Sequence, residues 1–249
     1  MTSLWTVLLL SLMPAAGNFA GGVAAELRKP SPRFLNWALH AAAGIVIGIV
    51  AVELLPEALG KLAGWWIALA FALGGGAYVM LDMAVERLQG DDGGEDRHRM
   101  WMIYAAVAVD LTCDGLMIGA GAAVSSSLGL VLAAGQVLAD VPEGYATVAN
   151  FRDKDVPRAK RLMLSASFFV YAVGAALLSF FVLRDASDGL KAAALVFVAG
   201  LLTVAAVEDM LEEAHEAHAD SRWSLAAFIG GFSLFTLVSA GLGAIVSAP

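Results

Sequence analysis

Charge is scarce in this chain: only 15% of its 249 residues are Asp, Glu, Lys or Arg, 59% are hydrophobic, and the mean hydropathy is +0.76. Soluble domains are about 25% charged and about 45–50% apolar, so an ordinary water-soluble globule is excluded and an integral membrane protein is expected. Basic groups are the scarcer sign, 15 against 23 acids for a net charge of −8, and the chain has no basic surface suited to nucleic acid. The single cysteine, Cys113, excludes an internal disulfide. No long polar block divides the sequence, which reads as one polytopic domain over 1–249.

Apolar stretches near 20 residues long mark membrane-spanning helices. Eight are predicted: about 3–26, 34–58, 64–86, 101–124, 128–150, 163–183, 190–212 and 223–247. The first is read as a retained span, since Met1–Trp5 carries no basic residue and the apolar pattern runs on to Ala25. Twelve of the 15 Lys and Arg fall in the odd-numbered connections and three in the even ones. The positive-inside rule then makes the odd loops cytoplasmic and puts both termini outside the cell membrane. Loop three, Gln89–Arg99, holds four acids, His98 and glycines; it reads as a mobile solvated segment, with a weak cation-collecting role as the alternative.

Two neighbouring spans break the hydrocarbon pattern. The run Ala105–Val124 contains Asp110 and Asp114, four apart, and the run Leu128–Ala149 contains Asp140 and Glu143, three apart, so each pair shares a helix face. A carboxylate at the centre of a spanning helix costs about 2.5–3.5 kcal/mol. Something must neutralise four of them, and neither helix offers a Lys, Arg or His before Arg152. That leaves protons and cations. Pro142 adds to the case, because it leaves the carbonyl of Leu138 without its helical donor, which membrane helices tolerate where that oxygen faces protein, water or a ligand.

At these residues the chain resembles the ZIP (ZRT/IRT-like) metal transporters. Their fourth and fifth spans carry motifs of the type His-Asn-x-x-Asp/Glu-Gly and (His/Gln)-(Glu/Asp)-x-Pro-(His/Glu)-Gly. Here the first is matched by Asp110, Leu111, Asp114 and Gly115, the second by Ala139, Asp140, Pro142, Glu143 and Gly144. The resemblance implies a divalent-metal site between the two helices with Asp110, Asp114, Asp140 and Glu143 as ligands. Asp110 replaces the motif's His, Leu111 its Asn, and Ala139 the first ligand of the second motif, so one oxygen-rich site is expected in place of a complete binuclear centre. The resemblance also implies a 3+2+3 plan, in which helices one to three and six to eight form an inverted repeat. Val52, Glu53 and Glu57 in helix two answer to Val207, Glu208 and Glu212 in helix seven.

The end of helix seven offers further candidates. Glu208, Glu212 and His215 fall at i, i+4 and i+7, a spacing that suits metal capture by carboxylate and imidazole, with an amphipathic helix end leaving the bilayer as the plainer reading. His40 is expected to be a packed, hydrogen-bonded histidine, Cys113 a packing residue, and the small residues around Asn18 and Gly74–Gly76 close-packing surfaces. By family position Met80 approaches the site and Tyr171 stands where some members have a carboxylate.

The expected function is transport of a divalent cation, zinc by family default with iron, manganese and cadmium open, into the cytoplasm. No cofactor beyond this cargo and no enzymatic activity are expected; the partners are the metal ion, the bilayer and, by resemblance, a second copy in a homodimer. The reading of a different class is an intramembrane hydrolase in which paired aspartates share a proton. That chemistry needs two acids, and at least six lie in the predicted spans.

Overall fold

The structure, a computed structural model, describes residues 2–28, 31–89 and 95–246. These form eight long helices and no strand: α1 Leu4–Leu27, α2 Pro32–Leu59, α3 Gly64–Gln89, α4 Glu95–Val124, α5 Ser126–Asp153, α6 Arg158–Leu183, α7 Asp188–Ala217 and α8 Arg222–Val246. Five of them begin on a serine, Ser3, Ser31, Ser125, Ser187 and Ser221, whose hydroxyl accepts the amide of the third residue on. Each such cap satisfies an otherwise orphaned donor and is worth about 1 kcal/mol. The helices outrun the apolar stretches at polar ends: α4 starts at Glu95, α6 at Arg158, and α7 continues to Ala217. Backbone hydrogen bonding does not stop where hydrocarbon does. Residues 90–94 of loop three, with the side chains of 95–99, lie outside the described residues, and so does any cation-collecting role for them.

Seven of the helices are long and apolar enough to cross a membrane. The exception is α5, long enough at 28 residues but interrupted by Gln136, Asp140 and Glu143. It packs against α1, α2 and α4. Outward-facing surfaces are apolar, with Leu9, Met80, Val170, Leu178, Ile229 and Leu237 all exposed. The six tryptophans sit near helix starts in two groups at opposite ends of the bundle, Trp5, Trp65 and Trp66 at one, Trp37, Trp101 and Trp223 at the other. Amphipathic rings at both ends of an apolar band are what a bilayer's two interfaces select.

Four close pairs build the bundle: α1 with α5, α4 with α6, α2 with α8, and α3 with α7. Within each, residue numbers rise together along both partners, so the pairs are parallel. Glycine permits the approach. A Cβ on Gly21 would lie 2.0 Å from the Val141 carbonyl, one on Gly115 2.3 Å from Ala172, one on Gly44 2.1 Å from Phe228, and one on Gly74 1.8 Å from Phe197. In a membrane, where lipid competes equally for apolar surface, such contacts supply the packing that holds helices together.

Two helices contain a widened turn. In α2 the Leu55 amide bonds to the Val50 carbonyl, and in α7 the Leu211 amide bonds to Ala206, both five residues back in place of four. Turns of this π type recur at functional sites.

Candidate metal centre

The connection at Ser125 folds α5 back along α4, so residues equidistant from it meet. Asp114 lies eleven before and Gln136 eleven after, and the Gln136 amide donates to Asp114 Oδ1. One turn deeper, Asp140 joins them. Asp110, Asp114 and Asp140 each place an oxygen within 4.8 Å of the other two, at 3%, 0% and 0% exposure. Glu143, a turn further along α5 and 5% exposed, stands beside Asp110. Asn18 of α1 reaches in from the other side, its Nδ2 donating to Glu143 Oε2 at 3.1 Å. The local spacing puts each pair of acids on one face; the α4–α5 hairpin brings the faces together.

The orphaned atoms carry the chemistry. Among the described residues, the buried side-chain oxygens without a hydrogen-bond partner are Asp110 Oδ2, Asp114 Oδ2, both oxygens of Asp140, Gln136 Oε1 and Asn18 Oδ1, together with Ser165 Oγ on α6. Because a carboxylate oxygen accepts and never donates, the amide nitrogens of Gln136 and Asn18 must face Asp114 and Glu143, which leaves their carbonyl oxygens free. An unpaired buried acceptor costs about 1–3 kcal/mol, and here several share one pocket. From Met100 to Phe151 the two helices contribute no Lys, Arg or His. A divalent cation held by oxygens would satisfy the whole set at once.

Access is from one end. A cavity of about 290 Å³ reaches Glu143 and is walled by Asp82, Glu208, Asp209, Glu212, Glu213 and Glu216, with Lys154 at its margin. Tyr78 donates to Asp209, and Asn150 Nδ2 donates to Glu213 Oε1 at 2.5 Å. Acids on low-dielectric walls focus a negative potential and concentrate cations. Toward the Ser125 end the way is filled by Ile49, Met117, Ile118, Leu132 and Phe235, all 0% exposed.

Of the residues singled out from sequence, Asp110, Asp114, Asp140 and Glu143 come together, and Glu208 and Glu212 line the cavity leading to them. His215 departs from that ladder. Its Nε2 lies 2.8 Å from Asp220 Oδ2, and its ring faces His40. The underwound turn at Ala206–Met210 contains Glu208, so regular i, i+4, i+7 geometry does not carry from Glu208 to His215. Asp209 and Glu213 enter the cavity wall instead. Met80 is 72% exposed on the outer surface, away from the site. Tyr171 pairs with Tyr104 over a separate apolar pocket shared with Trp101. Glu53 accepts from Ser239 and Glu57 pairs with Lys61. Cys113 packs in the apolar core.

Sequence reasoning missed Asn18, Gln136, Asp209 and Glu213. Gln136 carried a signal, a buried amide one turn before Asp140 on the same face; Asn18 carried one only as a polar residue in an apolar span. No family model matches the chain, and no curated protein matches it.

Proposed function

We propose that the protein is a polytopic membrane transporter that carries a divalent metal cation, its cargo, through an oxygen site between α4 and α5. One observation carries the reading: Asp110, Asp114 and Asp140 converge, fully buried, with acceptor oxygens that no described residue satisfies. Three carboxylates crowded together in a low dielectric repel one another, and a doubly charged ion turns that repulsion into binding. Protons compete for the same oxygens, so affinity falls as pH falls. The acid-walled cavity then serves as the path between the site and the cytoplasm, Glu143 as its threshold, and the Leu138 carbonyl freed by Pro142 as a further acceptor on the same helix.

In this proposal α5 is the eighth span, tolerated because its polar residues face the ion and not lipid. The 3+2+3 plan belongs to the proposal too. It is supported by the pairing pattern, since exchanging α1–α3 with α6–α8 and α4 with α5 turns the α1/α5 pair into α6/α4 and α2/α8 into α7/α3. The widened turns in α2 and α7 match under the same exchange. With the resemblance of Asp110, Asp114, Asp140, Pro142 and Glu143 to the ZIP motifs, these support a divergent member of that family, in the cell membrane with both termini outside. Zinc is the ion the resemblance suggests; an all-oxygen set weighs toward manganese and ferrous iron, with cadmium as a further candidate.

Uptake of Mn²⁺, Fe²⁺, Zn²⁺ and Cd²⁺ into vesicles containing the purified protein tests this. Asp114→Ala and Glu143→Ala are expected to abolish uptake while the protein still elutes as a folded species. Normal uptake by both variants ends the proposal, and chelator-insensitive cleavage of a membrane peptide would replace it with the hydrolase.

A further inference from the structure

We propose that His40, His215 and Asp220 form a second cation site, separate from the carboxylate centre, that takes a borderline divalent ion of the Zn²⁺ class and ties α2 to the end of α7. The inference does not depend on transport. The three side chains come from three places, the first half of α2, the last turn of α7 and the connection to α8, and offer ligand atoms within 4.8 Å of one another. Two imidazoles and a carboxylate, with a fourth position open to water, make a common zinc ligand set.

The hydrogen bonding of His40 supplies an independent observation. Its Nδ1 lies 2.8 Å from the Asn36 carbonyl, an acceptor only, so Nδ1 carries the proton. In the neutral ring Nε2 then bears a lone pair, and it is aimed at Asp220 Oδ1, 3.4 Å away, from a side chain only 4% exposed. In that form two acceptors face each other, and either a proton or a cation must be shared between them. A backbone carbonyl on the other ring nitrogen is also how metal-ligating histidines are oriented. Asp220 is steadied in the same manner: Asn36 Nδ2 donates to Oδ1 at 3.0 Å, and Ser224 in turn donates to Asn36 Oδ1 at 2.6 Å.

The distances suit a tetrahedron. Ligands about 2.0–2.1 Å from zinc stand about 3.3 Å apart, close to the 3.4 Å between His40 and Asp220. His215 and Asp220, at 2.8 Å, must part by about half an ångström to meet the same spacing. The His215 side chain is 56% exposed and has room to do so.

The test uses the full-length protein in detergent with Co²⁺ as the spectroscopic stand-in for Zn²⁺. Four-coordinate Co²⁺ with imidazole ligands absorbs intensely in the visible, whereas a six-coordinate oxygen site absorbs weakly. The expected result is one equivalent of intensely absorbing Co²⁺, displaced by Zn²⁺, present equally in Asp114→Asn and lost or weakened by more than about tenfold in His40→Gln and His215→Ala. His215 is exposed, so its replacement is readable even if the His40 variant misfolds. Absence of the band in the wild type, its survival in His215→Ala, or its loss in Asp114→Asn each overturns the proposal. Failure of the transport reading shows separately, in the uptake of Asp114→Ala and Glu143→Ala.

Discussion

Two sets of buried acids in this molecule are treated in opposite ways. Glu26, at the end of α1 with a side chain 5% exposed, is gripped by Arg161 of α6 through Nε at 2.5 Å and Nη2 at 2.7 Å, with Arg158 at 3.7 Å. The fork of Arg161 also reaches the Val156 carbonyl. Asp110, Asp114 and Asp140 have no base beside them among the described residues. The chain therefore has the means to neutralise a buried carboxylate permanently and uses it where a joint is wanted. Where arginine is withheld, the charge is left unpaired, which is what the proposed exchange of a cation requires.

The largest effect expected from this contrast is at the joint. Glu26→Ala strands the Arg161 guanidinium and should cost about 3–5 kcal/mol of stability, as removal of one partner from a buried pair does; a thermal midpoint close to wild type would show the pair to be ornamental. At the centre the sign reverses. Asp114→Asn relieves repulsion, so the metal-free variant should unfold no lower than wild type, yet it should lose the stabilisation that wild type gains from cation, about 2.7 kcal/mol at a hundredfold excess over Kd. Unfolding scans with and without Mn²⁺ or Zn²⁺ read both halves.

A smaller loss is expected for Gly144→Ala, whose Cβ would fall 1.9 Å from the Asn18 carbonyl. Forcing α1 off α5 should cost about 1–3 kcal/mol and weaken ion binding through the Asn18–Glu143 contact, measurable by calorimetry. Glu213→Gln in the cavity wall should slow ion entry only a few-fold at low ionic strength, and the difference should shrink in salt, because the wall acts through its field. The slightest effect belongs to Asp220. Burial pulls its carboxyl upward, but the hydrogen bonds that Asn36 and His215 direct at it outweigh that and hold it below its ordinary value. Its contribution to stability is thus present above an unfolded pKa of about 3.9 and lost as pH falls through the lower folded value. A pH titration of unfolding should show Asp220→Asn differing from wild type above that window and converging with it below.

Local periodicity makes the helices legible, because hydrocarbon length and 3.6-residue repetition are properties of contiguous sequence. The facing of Asp110 with Asp114, and of Asp140 with Glu143, is legible for the same reason. Asn18 against Glu143 is not, since it depends on α1 lying beside α5, a choice made by shape among small residues with no charge or period to announce it. His40 illustrates the same limit: its neighbour in space is Asp220, 180 residues on in sequence. The widened turn at Ala206–Met210 hid Asp209 and Glu213, because face arithmetic assumes a pitch that the helix abandons there.

The glycine crossings have a mechanical corollary. Helices whose backbones touch resist sliding apart singly, so any movement of α4 would carry α6 and any movement of α5 would carry α1. The four carboxylates are divided between these two rigid jaws, Asp110 and Asp114 on one, Asp140 and Glu143 on the other. On the proposed transport reading, a rocking of the two pairs that opened the Ser125 end would spread the four carboxylates apart, so that the stroke which changes the doorway would also loosen the hold.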